Sequence, residues 1–385
     1  MPINKYHNQY NNIFKKRNVV KNTIQTHYFL TILCLLIPAY AYAAKSNTVI
    51  ATINTGITPA GIAITKDDHY AYVANNNNYG VAGQDSVSVL DLKHNLPDQI
   101  IFDSSFNQPY TVTINHAGTR AYITNSNSTT ITIINIMTNQ VCSIIDGFDG
   151  PSGMTITSDD SFGYVNNYGG PEGLGSGNGR TVSVVDLNSN TIIETITVGL
   201  APAALVLSPD DLFVYVINYV DGNTGTGTMS VIRTCDNTVI ETVTGLSGPF
   251  GIAVTPSGKH AFISNFGSNN FAPIGTTVTV INLDTYEIVA TIDVGIQPSG
   301  IAIAPDGDLA YVTNYNTLYM DGTDFTGLTA GQGTVNIIDT HAKKVLSPTI
   351  AVGQSPDAIA ISQCGKYAYV TNFTSNTVTV IKLDH

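Results

Sequence analysis

The chain has 385 residues, of which 11% are charged and 43% apolar, with 34 glycines, 16 prolines and no tryptophan. Charge this sparse, against about 25% in an average domain, combined with abundant Val, Ile, Thr and Tyr, suits pleated, well-buried strands. No stretch carries the i, i+3, i+4, i+7 apolar spacing of a long amphipathic helix, so an all-β chain is expected.

The first forty residues differ from the rest. Lys15, Lys16, Arg17 and Lys21 form a basic region, and the apolar run Tyr28–Tyr40 follows it. Ala41-Tyr42-Ala43 then fits an A-x-A cleavage site, so residues 1–43 read as a secretory signal peptide, cut before Ala44. The run is shorter than the roughly 20 apolar residues of a spanning helix, which argues against an uncleaved anchor. Export to the periplasm or the cell exterior is the expected destination, with residues 44–385 as one domain. That domain retains eleven basic residues against 28 acidic ones, a net charge of −17. A surface this acidic repels phosphate backbones and makes nucleic acid an unfavourable partner.

From Pro59 onward the chain repeats itself. Pro59, Pro109, Pro151, Pro202, Pro249, Pro298 and Pro356 each open an apolar run, at intervals of 50, 42, 51, 47, 49 and 58 residues. Next comes a run of the type YVTN: "YVAN" at Tyr72, "YITN" at Tyr122, "YVNN" at Tyr164, "YVIN" at Tyr215, "FISN" at Phe262, and "YVTN" at Tyr311 and Tyr369. A third run alternates small polar with β-branched residues, as in "TVTVINL", which is the period-two pattern of a half-buried strand. A fourth run, such as "EIVATIDVG", closes on Val-Gly. Four short strands make an antiparallel sheet that cannot bury both faces alone, whereas seven such sheets stacked radially can. The expected fold is therefore a seven-bladed β-propeller of four-stranded antiparallel blades.

The last unit stops after three strands. Its missing fourth stands at the other end of the chain, where "NTVIATINTG" (Asn47–Gly56) matches Tyr286–Gly295. An N-terminal strand should therefore complete the last blade, closing the ring by β-pairing and removing two exposed edges. Val49, Ile50, Ile53 and neighbouring Ile57 are expected to supply its apolar face.

The seven tetrapeptides resemble those of the YVTN-repeat (YncE-like) β-propeller family of exported bacterial and archaeal proteins, and the resemblance covers essentially all of the chain after residue 43. It implies the propeller fold and leaves the activity open, because relatives include surface-layer components, lactonase-like and dehydrogenase-like propellers, and a member that binds single-stranded DNA. In such propellers the first strand lines a central channel. The loops from strand two to three, and from strand four to the next blade, share one face, the top.

Insertions single out that face. The connection after the YVTN-type Asn has four residues in blades 2 and 7 but ten, thirteen, nine, eleven and nineteen in blades 1, 3, 4, 5 and 6. Long connections in a compact domain are often functional, although loops also accept neutral insertions cheaply. An aromatic residue follows that Asn in five blades, as Tyr168, Tyr219, Phe266, Tyr315 and Phe373. Phe271, Tyr319 and Phe325 add to the loops, as does Tyr79, while Tyr110 and Phe250 stand at the tops of first strands. These rings, with Asp357, are the candidate ligand-binding residues, since aromatics offer large anchoring area with few rotamers to freeze. The alternative, favoured for the five in register, is that each packs on the adjacent blade as part of the repeat. The YVTN-type Asn itself reads as structural, shaping the turn through nearby backbone.

Catalytic groups are sparse. His69, His94, His116, His260 and His341 align with bottom-face turns or strand starts. Of the channel-mouth residues Ala60, Tyr110, Ser152, Ala203, Phe250, Ser299 and Asp357, only one is a carboxylate, too few for a metal cage. No Ser-His-Asp or Cys-His arrangement emerges, so no catalytic residue, metal or cofactor is assigned. Cys142, Cys235 and Cys364 are odd in number and lack metal-like spacing. Gly173–Arg180 matches neither phosphate-loop pattern and links two strands. The Asp-Gly stretches from Asp221 and Met320 could hold Ca²⁺ through backbone carbonyls but lack the EF-hand pattern, and Asp-Gly is also plain turn chemistry. The leading expectation is a non-enzymatic exported propeller that binds a protein or glycan of the envelope or beyond through the top loops of blades 3–6. A lactonase-like hydrolase or oxidoreductase is the alternative, with single-stranded DNA binding a second.

Overall fold

The structure is a computed structural model that describes residues 47–78, 80–169, 178–219, 226–267, 274–318 and 329–384. The signal-like segment, Tyr79, Phe271, Tyr319, Phe325, His385 and the Asp-Gly stretches from Asp221 and Met320 lie outside the described residues. No helix occurs among the described residues. They form seven four-stranded antiparallel sheets arranged as the blades of a propeller.

Each blade opens at one of the seven repeated prolines. The innermost strands are Pro59–Ile64, Pro109–Ile114, Pro151–Ile156, Pro202–Leu207, Pro249–Val254, Pro298–Ile303 and Pro356–Ile361. Each packs beside the next, and the seventh packs beside the first, so they ring a central channel. Proline suits the first position of a strand, where no ladder N–H is needed. The residue before every one of these prolines has positive φ, from Thr58 at +49° to Gly150 at +60°. Five of the seven are not glycine, although side chains disfavour this left-handed region. What holds them is a repeated hydrogen bond: in six blades the N–H after the YVTN-type Asn donates to the carbonyl of that residue, as Tyr315 does to Gln297 at 2.9 Å and Phe373 to Ser355 at 2.9 Å, and in blade 5 Gly267 donates to Gly248 instead.

The YVTN run is the second strand, and each of its letters has a physical role. The aromatic ring enters the seam between its own blade and the next. Seven hydrophobic clusters fill the seven seams, and each contains one of Tyr72, Tyr122, Tyr164, Tyr215, Phe262, Tyr311 and Tyr369. Burial pushes the Tyr72 and Tyr164 hydroxyls up to about 12, and both donate to a turn Asn of the following blade, Asn139 and Asn237. At the third letter, Thr313 donates from Oγ1 to the Asp357 carbonyl at 3.0 Å and Thr371 to the Ala60 carbonyl at 2.7 Å, tying the second strand of one blade to the innermost strand of the next.

The terminal Asn is structural, and backbone is only part of its partner set, as where Oδ1 of Asn125 and of Asn167 accepts from the N–H groups of Asn107 and Asp149. In every blade its Nδ2 donates to two side chains of the third strand. Asn218 reaches Thr228 and Ser230 at 3.0 Å each, and Asn372 reaches Thr377 at 3.0 Å and Thr379 at 2.9 Å. The small polar residues that alternate along the third strand are therefore the acceptors of a buried ladder. The Val-Gly that ends several fourth strands explains itself here as well. A Cβ on Gly56, Gly199, Gly295 or Gly353 would stand 2.4–2.6 Å from the Asn side chain of the following blade.

Ring closure follows the expected path. Thr48–Asn54 pairs antiparallel with Thr377–Lys382 and is the outer strand of the seventh sheet. Its apolar face is smaller than expected, because only Ile53 is buried, Ile57 is half-buried, and Val49 and Ile50 are 44% and 45% exposed. An outermost strand has a neighbouring blade on one face near the channel and solvent along its rim, so one inward residue suffices. Polar clasps supplement it. Asn376 Oδ1 accepts from the Thr58 N–H at 2.8 Å, and Asp68 accepts from the N–H groups of Gln363 and Cys364 at 2.7 and 2.9 Å. The same clasp recurs where Asp160 holds His116 and Ala117 of the preceding blade.

Two expected loops begin as strand. In blade 5 the ladder continues to a Gly267–Ile274 pair, and in blade 6 Thr317–Leu318 pairs with Thr329–Ala330.

Two outcomes follow from these seams. A chain beginning at Ile57 should melt at least several degrees below one beginning at Asn47 and should aggregate on heating. It loses Ile53, at about 1.5–3 kcal/mol, and exposes the edge Thr377–Lys382. Equal melting temperatures would refute closure by this strand. Gly295→Ala should cost about 1–3 kcal/mol in urea unfolding, because its methyl would overlap Asn314.

Candidate functional site

The top face is defined by the start of each innermost strand and the end of each second strand. Seven aromatic residues stand there: Tyr110, Tyr168, Tyr219, Phe250, Phe266, Tyr315 and Phe373. All seven are half-buried, so each ring packs against the protein on one side and keeps surface open on the other. Five of them form a continuous arc over blades 4 to 7. Tyr219 meets Phe250 edge-on with centroids 6.3 Å apart, Phe250 meets Phe266 at 5.3 Å, Phe266 meets Tyr315 at 5.9 Å, and Tyr315 meets Phe373 at 6.3 Å. These are favourable offset and edge-to-face geometries, so the rings do pack across blades as members of the repeat. Tyr219 is also tied by its hydroxyl, which donates to the Gly267 carbonyl of the next blade at 2.5 Å.

Asp357 lies at the mouth of the channel, one residue past Pro356. Its backbone is fixed by Thr313, and its carboxylate accepts from Ser299 Oγ at 2.7 Å. Ser299 is fully buried at the same position of the preceding blade. Close approach of the two strands depends on Gly300, since a Cβ there would stand 2.5 Å from the Asp357 carbonyl oxygen. Burial raises the Asp357 pKa above its ordinary 3.8, with the Ser299 hydrogen bond opposing that effect. Among the described residues no Lys, Arg or His forms an ion pair with this carboxylate. Tyr110 occupies in blade 2 the mouth position that Asp357 occupies in blade 7, one residue past the strand-opening proline. Burial first, then the Asp357 charge, holds its hydroxyl well above the usual range.

Basic residues are unevenly divided between the two faces. Of the ten basic residues between Asn47 and Asp384, nine (Lys66, Lys93, Arg120, Arg233, Lys259, Lys343, Lys344, Lys366 and Lys382) lie in bottom turns or at bottom ends of strands. Only Arg180 stands on the top, against Asp85, Asp103, Asp146, Asp149, Asp293 and Asp357. Sorting the basic residues by position within the repeat would have revealed this from sequence. The role of Ser299 would not, because its pairing with Asp357 joins two blades.

The five histidines lie on the bottom, four of them beside carboxylates, as with His94 and Asp91 at 2.7 Å. No group of three His, Cys, Asp or Glu side chains is placed to hold a metal among the described residues. Cys142, Cys235 and Cys364 are free and exposed. No described helix is long and apolar enough to cross a membrane.

No protein-family model matches the chain, and no curated protein matches it. Among solved structures the chain is similar to Kuenenia stuttgartiensis hydrazine synthase, with a TM-score of 0.68 and 19% identity over 85% of this chain and 96% of that one. At this identity the likeness shows the propeller fold alone.

The Asp357 environment has a measurable consequence. Its folded pKa is raised, so the unfolded chain releases the proton first, and stability falls as pH rises from 3.8 through the folded value. Asp357→Asn keeps an acceptor for Ser299 and removes the charge. It should melt higher than the parent chain at neutral pH, with the difference closing as pH is lowered towards 3.8. A variant that melts lower at neutral pH would show that the carboxylate stabilises the fold.

Proposed function

We propose that this chain is an exported propeller of the YVTN-repeat kind that binds a protein or glycan partner of the cell envelope through its top face. The observation that carries this reading is the arc of half-buried rings beside a channel mouth whose carboxylate has no counter-cation among the described residues. Rings packed only for the repeat could be buried completely, as Tyr311 and Phe262 are in the seams. Those on the top instead retain open surface over blades 4 to 7, and long connections begin beside them in blades 4 to 6. Half-buried aromatics lose little entropy when a partner covers them, which makes them effective anchors. The anionic top face and the bottom placement of nine cations disfavour single-stranded DNA, which needs a basic groove beside its stacking platform.

Affinity capture from the native envelope, with the domain from Ala44 onward as bait, tests the proposal. The parent domain should recover a saturable partner. Tyr110→Ser combined with Tyr168→Ser should lower recovery tenfold or more while the melting temperature stays within a few degrees, because neither ring belongs to the packed arc. Undiminished recovery with that double variant would move the binding surface elsewhere. A stoichiometric channel metal, with turnover of a lactone or dye lost in Asp357→Asn, would replace the binding reading with an enzymatic one.

A further inference from the structure

We propose that the channel mouth is a receptor for a primary ammonium group on an alkyl stem, as a lysine side chain of a partner presents it. The inference rests on the top-face binding reading and names the chemistry of its anchor. Asp357 provides the charge. It is the only charged residue among the seven mouth positions, and both its backbone carbonyl and one carboxylate oxygen are held by the preceding blade through Thr313 and Ser299. A carboxylate so positioned incurs little reorganisation on meeting a cation, and no described cation of the chain occupies it. Removing it from water without a counter-charge is unfavourable, and an incoming ammonium relieves that cost.

The surroundings select the rest of the ligand. Tyr110 and Tyr315 flank the mouth, and Phe250 and Phe266 continue the wall. Ring faces attract a cation and cover the methylenes of an alkyl stem equally well. A divalent metal would find a single carboxylate and no further anionic ligand at the mouth, and a neutral sugar would leave the charge unmatched. Beyond the mouth, five further carboxylates against one arginine on the described top face draw a cationic partner towards it.

Calorimetric titration of the purified protein at low salt tests this with three probes: capped Gly-Gly-Lys-Gly-Gly, its Nε-acetylated form, and n-butylammonium. The lysine peptide should bind saturably. Acetylation, or Asp357→Asn with an intact melt, should each weaken binding at least tenfold, and Phe250→Leu should weaken it several-fold. Butylammonium that binds as well as the peptide, with the same dependence on Asp357, supports the ammonium chemistry and points to a free amine as its source. Equal affinity for the acetylated and free lysine peptides, unchanged affinity in Asp357→Asn, or no saturation at millimolar peptide would each overturn the inference. Captured envelope partner that survives Asp357→Asn but not the Tyr110→Ser, Tyr168→Ser double variant would leave top-face binding standing and remove only the ammonium anchor.

Discussion

A four-stranded sheet with apolar residues on both faces must bury both, and every other feature of this molecule depends on how it does so. Each blade covers the next, so seven seams replace one core, and each seam holds its own hydrophobic cluster. Burial of this kind is non-directional and would tolerate blades that slide over one another. Direction comes from the polar residues of the repeat. The Asn–hydroxyl pairs fix the second strand to the third, the Thr–carbonyl bonds fix the second strand to the innermost strand of the next blade, and the Val-Gly ends leave room for the following Asn.

A ring built from nearest-neighbour seams is only as strong as its last one. Here that seam joins the two ends of the described chain, so it is held by more than apolar contact. Ile53 is the single buried side chain of the closing strand, and hydrogen bonds from Asn376 and Asp68 act beside it on the top and bottom. Closure also completes the channel mouth, because the innermost strands Pro356–Ile361 and Pro59–Ile64 become neighbours only when the seventh blade meets the first. The site and the seam are therefore one structural problem.

The mouth departs from the economy of the rest. Left-handed backbone at Thr58, Gln108, Ala201, Gln297 and Ser355 is intrinsically unfavourable, and a half-buried carboxylate with one hydrogen-bonded neighbour adds to that cost. The surrounding ladders over-determine these residues and so keep them in place. Left-handed backbone also recurs in the bottom turns, at Asp68, Asp160, Asp211, Asn95, Asn139, Asn190, Asn237, Tyr286 and Lys343, so what sets the mouth apart is its carboxylate.

The sequence by itself determined the number of blades, the four-strand order within each, the proline that opens every innermost strand and the crossing of the N-terminal strand to the last blade. All of these are local patterns repeated seven times, and period-two alternation with turn residues is written directly in consecutive residues. It also placed Asp357, Tyr110 and Phe250 at the mouth, by position in the repeat. Only the tertiary structure decided which side chains meet. Asn218 finds hydroxyls ten and twelve residues away, Ser299 finds Asp357 fifty-eight residues on, and Tyr219, Phe250, Phe266, Tyr315 and Phe373 join into one arc across four blades. Val49 and Ile50 show the same limit from the other side, since alternation marks them as apolar yet the rim leaves them exposed. Such pairings depend on the distance and rotation between neighbouring sheets, which no single blade encodes and which the closed ring imposes on all seven together.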